Sequence, residues 1–205
     1  VKGIKFKLAG LAMAMLPLAA AAEDYPDVDL ARAEEIVMGR CFLCHGAEGE
    51  SSTALYPRLA GQHYQYIAKQ LADFQAGRRK SDTMVSMVEG LTSEEMVALG
   101  VFFEKKPTEA RPATDKQLAA VGEFIFHRGN EYSGVAACAS CHGDRGLGSP
   151  QLPRLAGQGR KYTESQLASF NKRERTNDNA VMHSIASKLT ELEIKAVALY
   201  ISTLD

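Results

Sequence analysis

The four cysteines of this 205-residue chain occur as two copies of one pattern, Cys41-Phe-Leu-Cys44-His45 and Cys138-Ala-Ser-Cys141-His142. Two cysteines three positions apart, followed at once by histidine, have the spacing of a c-type haem attachment site. The chemistry explains the spacing. Each thiol can form a thioether with one of the two vinyl groups of a single haem, and the adjacent histidine is then held beneath the iron as a ligand. A disulfide, a zinc site or a thioredoxin-like redox pair also uses paired cysteines, but none of them requires a histidine directly after the second cysteine in both copies. The chain is therefore expected to fold around two covalently bound haem c groups, one on Cys41 and Cys44 and one on Cys138 and Cys141, with His45 and His142 as iron ligands.

The two motifs belong to a longer internal repeat. They are offset by 97 residues, and Pro57-Arg-Leu-Ala-Gly-Gln62 recurs unchanged as Pro153-Arg-Leu-Ala-Gly-Gln158 at an offset of 96. Tyr66, Gln70-Leu71-Ala72 and Phe74 keep that offset to Tyr162, Gln166-Leu167-Ala168 and Phe170, and Leu91-Thr92 matches Leu189-Thr190 at 98. Self-similarity over this length predicts two homologous domains, each with one haem. We place them at residues 23–106 and 114–205, joined by a linker at 107–113. Lys105-Lys106-Pro107 and Arg111-Pro112 interrupt helical periodicity there. Nine residues, 105–113, span at most about 30 Å, so the domains must sit close together.

Helical signals run throughout, and no convincing alternating strand is present. Asp29 is a candidate N-cap for a helix over about 29–40, and Thr114 with Gln117 has capping-box spacing for one over 114–128. Helices are also expected near 63–76, with Gly77 as a stop, and near 160–172. The last helix of each domain opens on Thr92 with Glu95, or on Thr190 with Glu193, again with capping-box spacing. The predicted fold class is all-α, with each small domain wrapped around a haem that supplies much of the apolar surface so short a unit otherwise lacks.

A haem that shuttles electrons without binding small molecules needs a second axial ligand. Met84 and Met182 recur at equivalent positions, each eight residues before the capping threonine of a last helix. We read them as the sixth ligands. Met87 and Met96 do not recur and are read as core fillers. His63, His127 and His183 do not recur either; they are read as surface or supporting residues, with His183 beside Met182 the one that could compete. Pro57 and Pro153 are candidates for offering the carbonyl that accepts from the free ring nitrogen of each iron-binding histidine. The alternative is that these prolines only shape the loop.

Lys2, Lys5 and Lys7, an apolar run from Leu8 to Ala20, and an A-x-A site ending at Ala22 predict a secretory signal peptide over residues 1–22. Its removal changes the formal charge from −1 to −4. Residues 23–112 then carry 15 acidic and 10 basic residues, net −5, and residues 113–205 carry 10 and 11, net +1. Neither half has the dense basic patch of a nucleic-acid binder. Apolar residues at 45% and charged residues at 24% suit an ordinary globular protein.

With two class I haem motifs in tandem, a Pro-x-Leu-Ala-Gly-Gln segment after each, Arg175-Thr-Asn-Asp178 before Met182 and a methionine before each last helix, residues 23–205 resemble the cytochrome c4 family of periplasmic diheme electron carriers. The resemblance implies that Met84 and Met182 are axial ligands and that Pro57 and Pro153 carry the carbonyls that meet the histidines. It also implies an electron carrier, not an enzyme, with no small-molecule substrate, localised to the periplasm. The implied donors are a quinol-oxidising bc complex or a small copper protein, and the implied acceptor is a membrane-bound terminal oxidase; any membrane association would come through partners. Two other readings are the haem subunit of a flavocytochrome sulfide dehydrogenase and a diheme peroxidase or thiosulfate-oxidising enzyme with one open haem.

Overall fold

The computed structural model describes residues 25–205. The expected signal peptide lies outside the described residues. The first half comprises α1 (Leu30–Ile36), a π-helical turn (Val37–Cys41), α2 (Phe42–His45), α3 (Tyr64–Gln75), α4 (Asp82–Val88) and α5 (Ser93–Glu104). The second half comprises α6 (Lys116–Arg128), α7 (Ala139–His142), α8 (Arg160–Asn171), α9 (Val181–Ala186) and α10 (Glu191–Ile201). No strand occurs among the described residues; the nearest approach to one is an isolated antiparallel bridge between Asn130 and Val135.

Several helix starts follow directly from local chemistry. Asp29 Oδ1 accepts the Arg32 amide at 2.8 Å, satisfying one of the free donors of the first turn. At α5 the Thr92 hydroxyl accepts from Glu95 N at 3.2 Å, and the Glu95 carboxylate accepts from Thr92 N at 3.1 Å. Thr190 and Glu193 form the same reciprocal pair at 3.2 and 2.7 Å. At α6 the cap is Asp115 and not Thr114, because its carboxylate accepts both the Gln117 and Leu118 amides, at 3.0 and 2.9 Å. A charged acceptor at the positive end of a helix outcompetes a hydroxyl one residue earlier. The first helix departs from expectation in another way. Its regular ladder stops at Ile36 and continues as the π-helical turn, which delivers Cys41 to α2.

Each half has its own apolar core. Ile36, Val37, Ile67, Phe74, Leu91, Met96, Leu99 and Phe103 form one cluster. Ile125, Phe126, Leu167, Phe170, Leu189, Val197 and Ile201 form the other. Met96 is a core residue as expected, whereas Met87 is only half-buried. Ile201, Val197 and Ala198 are buried on α10, and Ile194 packs against them at the cluster's edge. In the second half α6 lies directly on α10, with Gly122 against the Ala196 carbonyl.

The Pro-Arg-Leu-Ala-Gly-Gln segments are neither helix nor strand, as a proline without an amide hydrogen dictates. Each hangs from its own half by matching bonds. Leu59 N donates to Gly49 O at 2.8 Å and Gly61 N to Phe103 O at 2.9 Å; Leu155 N donates to Gly146 O at 2.7 Å and Gly157 N to Ile201 O at 3.1 Å. These anchors hold each proline carbonyl in place relative to the last helix of its half. The segment between α5 and α6 contains no helix and is pinned to the second half by Arg111 N donating to Ser202 O at 3.0 Å.

Candidate functional site

Each Cys-x-x-Cys-His motif ends in a single helical turn, which puts its two cysteines, three residues apart, on one face. The chain then turns sharply. Gly46 and Gly143 follow the histidines at φ +79° and +80°, a left-handed region that a side chain would disfavour. Their amides close the turns, Gly46 N on Phe42 O and Gly143 N on Ala139 O, both at 2.9 Å.

The turn buries both histidines, leaving His45 7% and His142 6% exposed. His45 Nδ1 donates to Pro57 O at 2.9 Å, and His142 Nδ1 donates to Pro153 O at 3.0 Å. A carbonyl can only accept, so Nδ1 carries the proton and Nε2 keeps its lone pair. Burial holds both imidazoles below the ordinary histidine range, with the proline carbonyls opposing that shift. A neutral imidazole with an oriented Nδ1–H is the form that binds iron.

None of the four cysteines is paired in a disulfide. Burial is the main cause that pushes Cys41 and Cys138 up to about 11. Met84 on α4 packs against the same apolar cluster as Cys41, and Met182 on α9 packs against the same cluster as Cys138. Ser81 Oγ caps α4 by accepting from Met84 N at 3.2 Å. Asp178 organises the approach to Met182, accepting from Ala180 N at 3.2 Å and His183 N at 3.1 Å. In each half, therefore, the first cysteine and the methionine pack against one apolar cluster, and a buried histidine held by a proline carbonyl ends the same motif; these are the residue types a c-type haem would need.

The other histidines have separate partners. His183 Nδ1 donates to Phe170 O at 3.0 Å, His127 Nε2 pairs with the Tyr200 hydroxyl at 2.9 Å, and His63 lies between Glu104 Oε1 at 3.2 Å and Leu147 O at 2.9 Å.

Two features of the site are not visible in the motifs. First, the repeated hexapeptides meet across the halves. Gln158 Oε1 accepts from Arg58 N at 2.9 Å and its Nε2 donates to Arg58 O at 3.0 Å, while Gln62 Oε1 accepts from Arg154 N at 2.8 Å and its Nε2 donates to Arg154 O at 2.9 Å. The pairing is reciprocal, as two copies of one segment related by a pseudo-twofold axis would make it.

Second, Arg79 and Arg175 face one another between the halves. Arg79 donates to Gln70 Oε1 at 2.7 Å, the Tyr162 hydroxyl at 2.9 Å and Gln166 Oε1 at 2.9 Å. Arg175 donates to Gln166 Oε1 at 2.8 Å, the Tyr66 hydroxyl at 2.9 Å and Gln70 Oε1 at 3.1 Å. Arg79 also stacks on Phe74 and Arg175 on Phe170. The Arg175 residue is 8% exposed, and every partner named here is neutral. Burial alone would raise the Tyr162 phenol, but the two guanidinium charges outweigh it and hold it below its ordinary range. The sequence does contain a signal for them: the 96-residue offset that links Phe74 to Phe170 also carries Arg79 onto Arg175.

The cytochrome c family matches residues 30–129 and again 126–205. The chain is 39% identical over 171 residues to cytochrome c4 of Thiocapsa roseopersicina, covering 82% of this chain and 88% of that protein. It is 34% identical over 205 residues to a thiosulfate dehydrogenase electron acceptor of Stutzerimonas stutzeri (strain A1501), covering 98% and 95%. The solved structure of reduced recombinant cytochrome c4 from Pseudomonas stutzeri superposes with a TM-score of 0.82 at 32% identity, covering 87% of this chain and all of that one. With one haem site folded in each half, two covalent haem c groups and an all-α tandem of class I domains, the chain belongs to the cytochrome c4 family of diheme electron carriers.

Proposed function

We propose that this protein works in the periplasm as a one-electron shuttle with two closed haem sites, bound through Cys41 and Cys44 and through Cys138 and Cys141, and ligated axially by His45 with Met84 and by His142 with Met182. The observation that carries this reading is the pairing, in each half, of a buried histidine locked by its Nδ1–H to a proline carbonyl with a methionine on the same apolar cluster as the first cysteine. The haem iron supplies a ferric/ferrous couple, whose potential methionine ligation raises. Pro57 and Pro153 keep each imidazole in the tautomer and orientation that bind iron. The apolar cores would limit water around a bound haem. The two domains occupy residues 23–106 and 114–205 about a linker at 107–113.

The resemblance to the family supports a donor that is a quinol-oxidising bc complex or a small copper protein, and a membrane-bound terminal oxidase as acceptor. The relative that spans nearly the whole chain favours a second reading, in which a thiosulfate dehydrogenase is the donor. In that reading this chain receives electrons from the enzyme and performs no oxidation of thiosulfate itself.

The test is the optical spectrum of the oxidised holoprotein, followed by addition of carbon monoxide after reduction. A far-red methionine-to-ferric-iron band at two-haem intensity with no carbon monoxide binding is expected. A half-strength band, or binding at one haem, would replace the shuttle with an enzyme that keeps an open site. Reduction rates measured with purified thiosulfate dehydrogenase and with a bc complex separate the two donors.

A further inference from the structure

The Pro57 carbonyl and the Arg58 N–H belong to one peptide group. The carbonyl accepts from His45 Nδ1 at 2.9 Å, and the N–H donates to Gln158 Oε1 at 2.9 Å. The same arrangement recurs in reverse. The Pro153 carbonyl accepts from His142 Nδ1 at 3.0 Å, and the Arg154 N–H of that peptide donates to Gln62 Oε1 at 2.8 Å. Each iron-binding histidine is therefore connected, through a single peptide group, to a glutamine of the opposite half.

A peptide group that donates from nitrogen becomes a better acceptor at oxygen, because the nitrogen lone pair delocalises further into the carbonyl; chains of such bonds polarise one another at low dielectric. A better acceptor draws the Nδ1 proton away from the imidazole and makes its other nitrogen a stronger donor to iron. Stronger donation favours the ferric state. Both glutamines are buried, Gln62 6% and Gln158 8% exposed, so water does not dilute the effect. Each amide oxygen also has a second donor. Gln158 Oε1 additionally accepts from Gly159 N at 2.8 Å and Gln62 Oε1 from His63 N at 3.2 Å, while each Nε2 donates to the arginine carbonyl of the other half.

We infer that Gln158 and Gln62 are crossed positioning residues: Gln158, in the second half, sets the donor strength of His45 and so lowers the potential of the first haem, and Gln62, in the first half, does the same for the second haem through His142. The inference rests on the reading of His45 and His142 as axial ligands. Its consequence is that the halves tune one another through their interface, so a partner that shifts the interface shifts both potentials.

The experiment is a titration of the holoprotein by NMR with the two haems resolved, on Gln158→Met and Gln62→Met, which keep side-chain length and remove the amide oxygen. Gln158→Met is expected to raise the ferrous-to-ferric ratio of the Cys41–Cys44 haem at fixed potential about threefold, roughly 30 mV at about 59 mV per tenfold for one electron. The Cys138–Cys141 haem should stay in place. Gln62→Met should do the reverse. In the reduced protein, the Nδ1–H resonance of His45 should move upfield in Gln158→Met and that of His142 in Gln62→Met. A glutamine that served only as interdomain glue would shift both haems alike, or the haem of its own half; either result, or no shift, overturns the inference. If one variant does not fold, the other carries the test alone. Ferric wild-type protein in which the His45 and His142 ring resonances show no strong paramagnetic shift would overturn the ligand reading itself, whereas strongly shifted ring resonances with uncrossed potential shifts would overturn only the tuning.

Discussion

Gly122 on α6 lies so close to Ala196 on α10 that a Cβ in place of its hydrogen would stand 2.1 Å from the Ala196 carbonyl oxygen. Backbone cannot yield as a side-chain tip can, so a methyl group must drive the two helices apart. Those helices carry much of the second half's core, including the fully buried Phe126 and Val197.

Gly122→Ala is accordingly expected to destabilise the holoprotein by about 2 kcal/mol through overpacking. Thermal unfolding followed by circular dichroism would show a midpoint lower by about 5 °C. An unchanged midpoint would mean that α6 and α10 can separate without loss of packing.

Met182→Ala should halve the far-red band and open one haem to carbon monoxide, and it should lower the potential of that haem, since loss of the soft sulfur removes the preference for ferrous iron. Met84→Ala should do the same at the other haem. Met87→Leu, which removes a thioether that does not recur in the repeat, should leave the band intact. Persistence of the full band in either alanine variant would reassign the sixth ligand.

Asp73 governs an acid-sensitive contact between the halves. Its carboxylate is 3% exposed and accepts from Lys69, from Arg78 Nε at 2.7 Å and from Asn177 Nδ2 at 2.7 Å, the last across the interface. Burial alone would raise its pKa, but these hydrogen bonds outweigh burial and hold it below the ordinary carboxylate range. A depressed folded-state value means stabilisation that is fully present above the unfolded value near 3.9 and is lost as pH falls through the lower folded value. Asp73→Asn should therefore lose stability at neutral pH, about 2 kcal/mol for hydrogen bonds to a charged group, and should show a shallower loss below about pH 4 than wild type. Denaturant midpoints at pH 7 and at stepped lower pH would check both parts. Parallel acid limbs would show that Asp73 does not contribute to them.

Charge distribution predicts an order for the two potentials. Residues 23–112 carry a net −5 and residues 113–205 a net +1, and negative surroundings favour ferric iron. The first haem should have the lower potential in a domain-resolved titration, with a gap that narrows as salt screens exposed charges. The reverse order at low salt would mean that local hydrogen bonding outweighs net charge.

Much of this protein was legible because its chemistry is local. Cysteine, cysteine and histidine within five consecutive residues need only one helical turn to present a haem site, and the Thr92–Glu95 and Thr190–Glu193 caps close within one turn as well. Met84 and Met182 stood out through recurrence. The proline carbonyls needed the structure, because sequence left their loop-shaping alternative open; only the folded chain brings Pro57 to His45 and Pro153 to His142. Sequence periodicity also failed at the π-helical turn before Cys41 and at the short helices that carry the methionines, which span seven and six residues and are too short to leave a clear repeat.

The sequence by itself determined two helical units and their covalent haem attachment, because those depend on residues close together in the chain and on a repeat that can be read directly. Tertiary structure decided how the units face each other: Gln158 on the Arg58 backbone, Gln62 on that of Arg154, and Arg79 against Arg175. Such pairs lie about a hundred residues apart and depend on docking two surfaces. A buried hydrogen bond between distant residues has no periodicity in sequence, and its geometry exists only once both halves have folded.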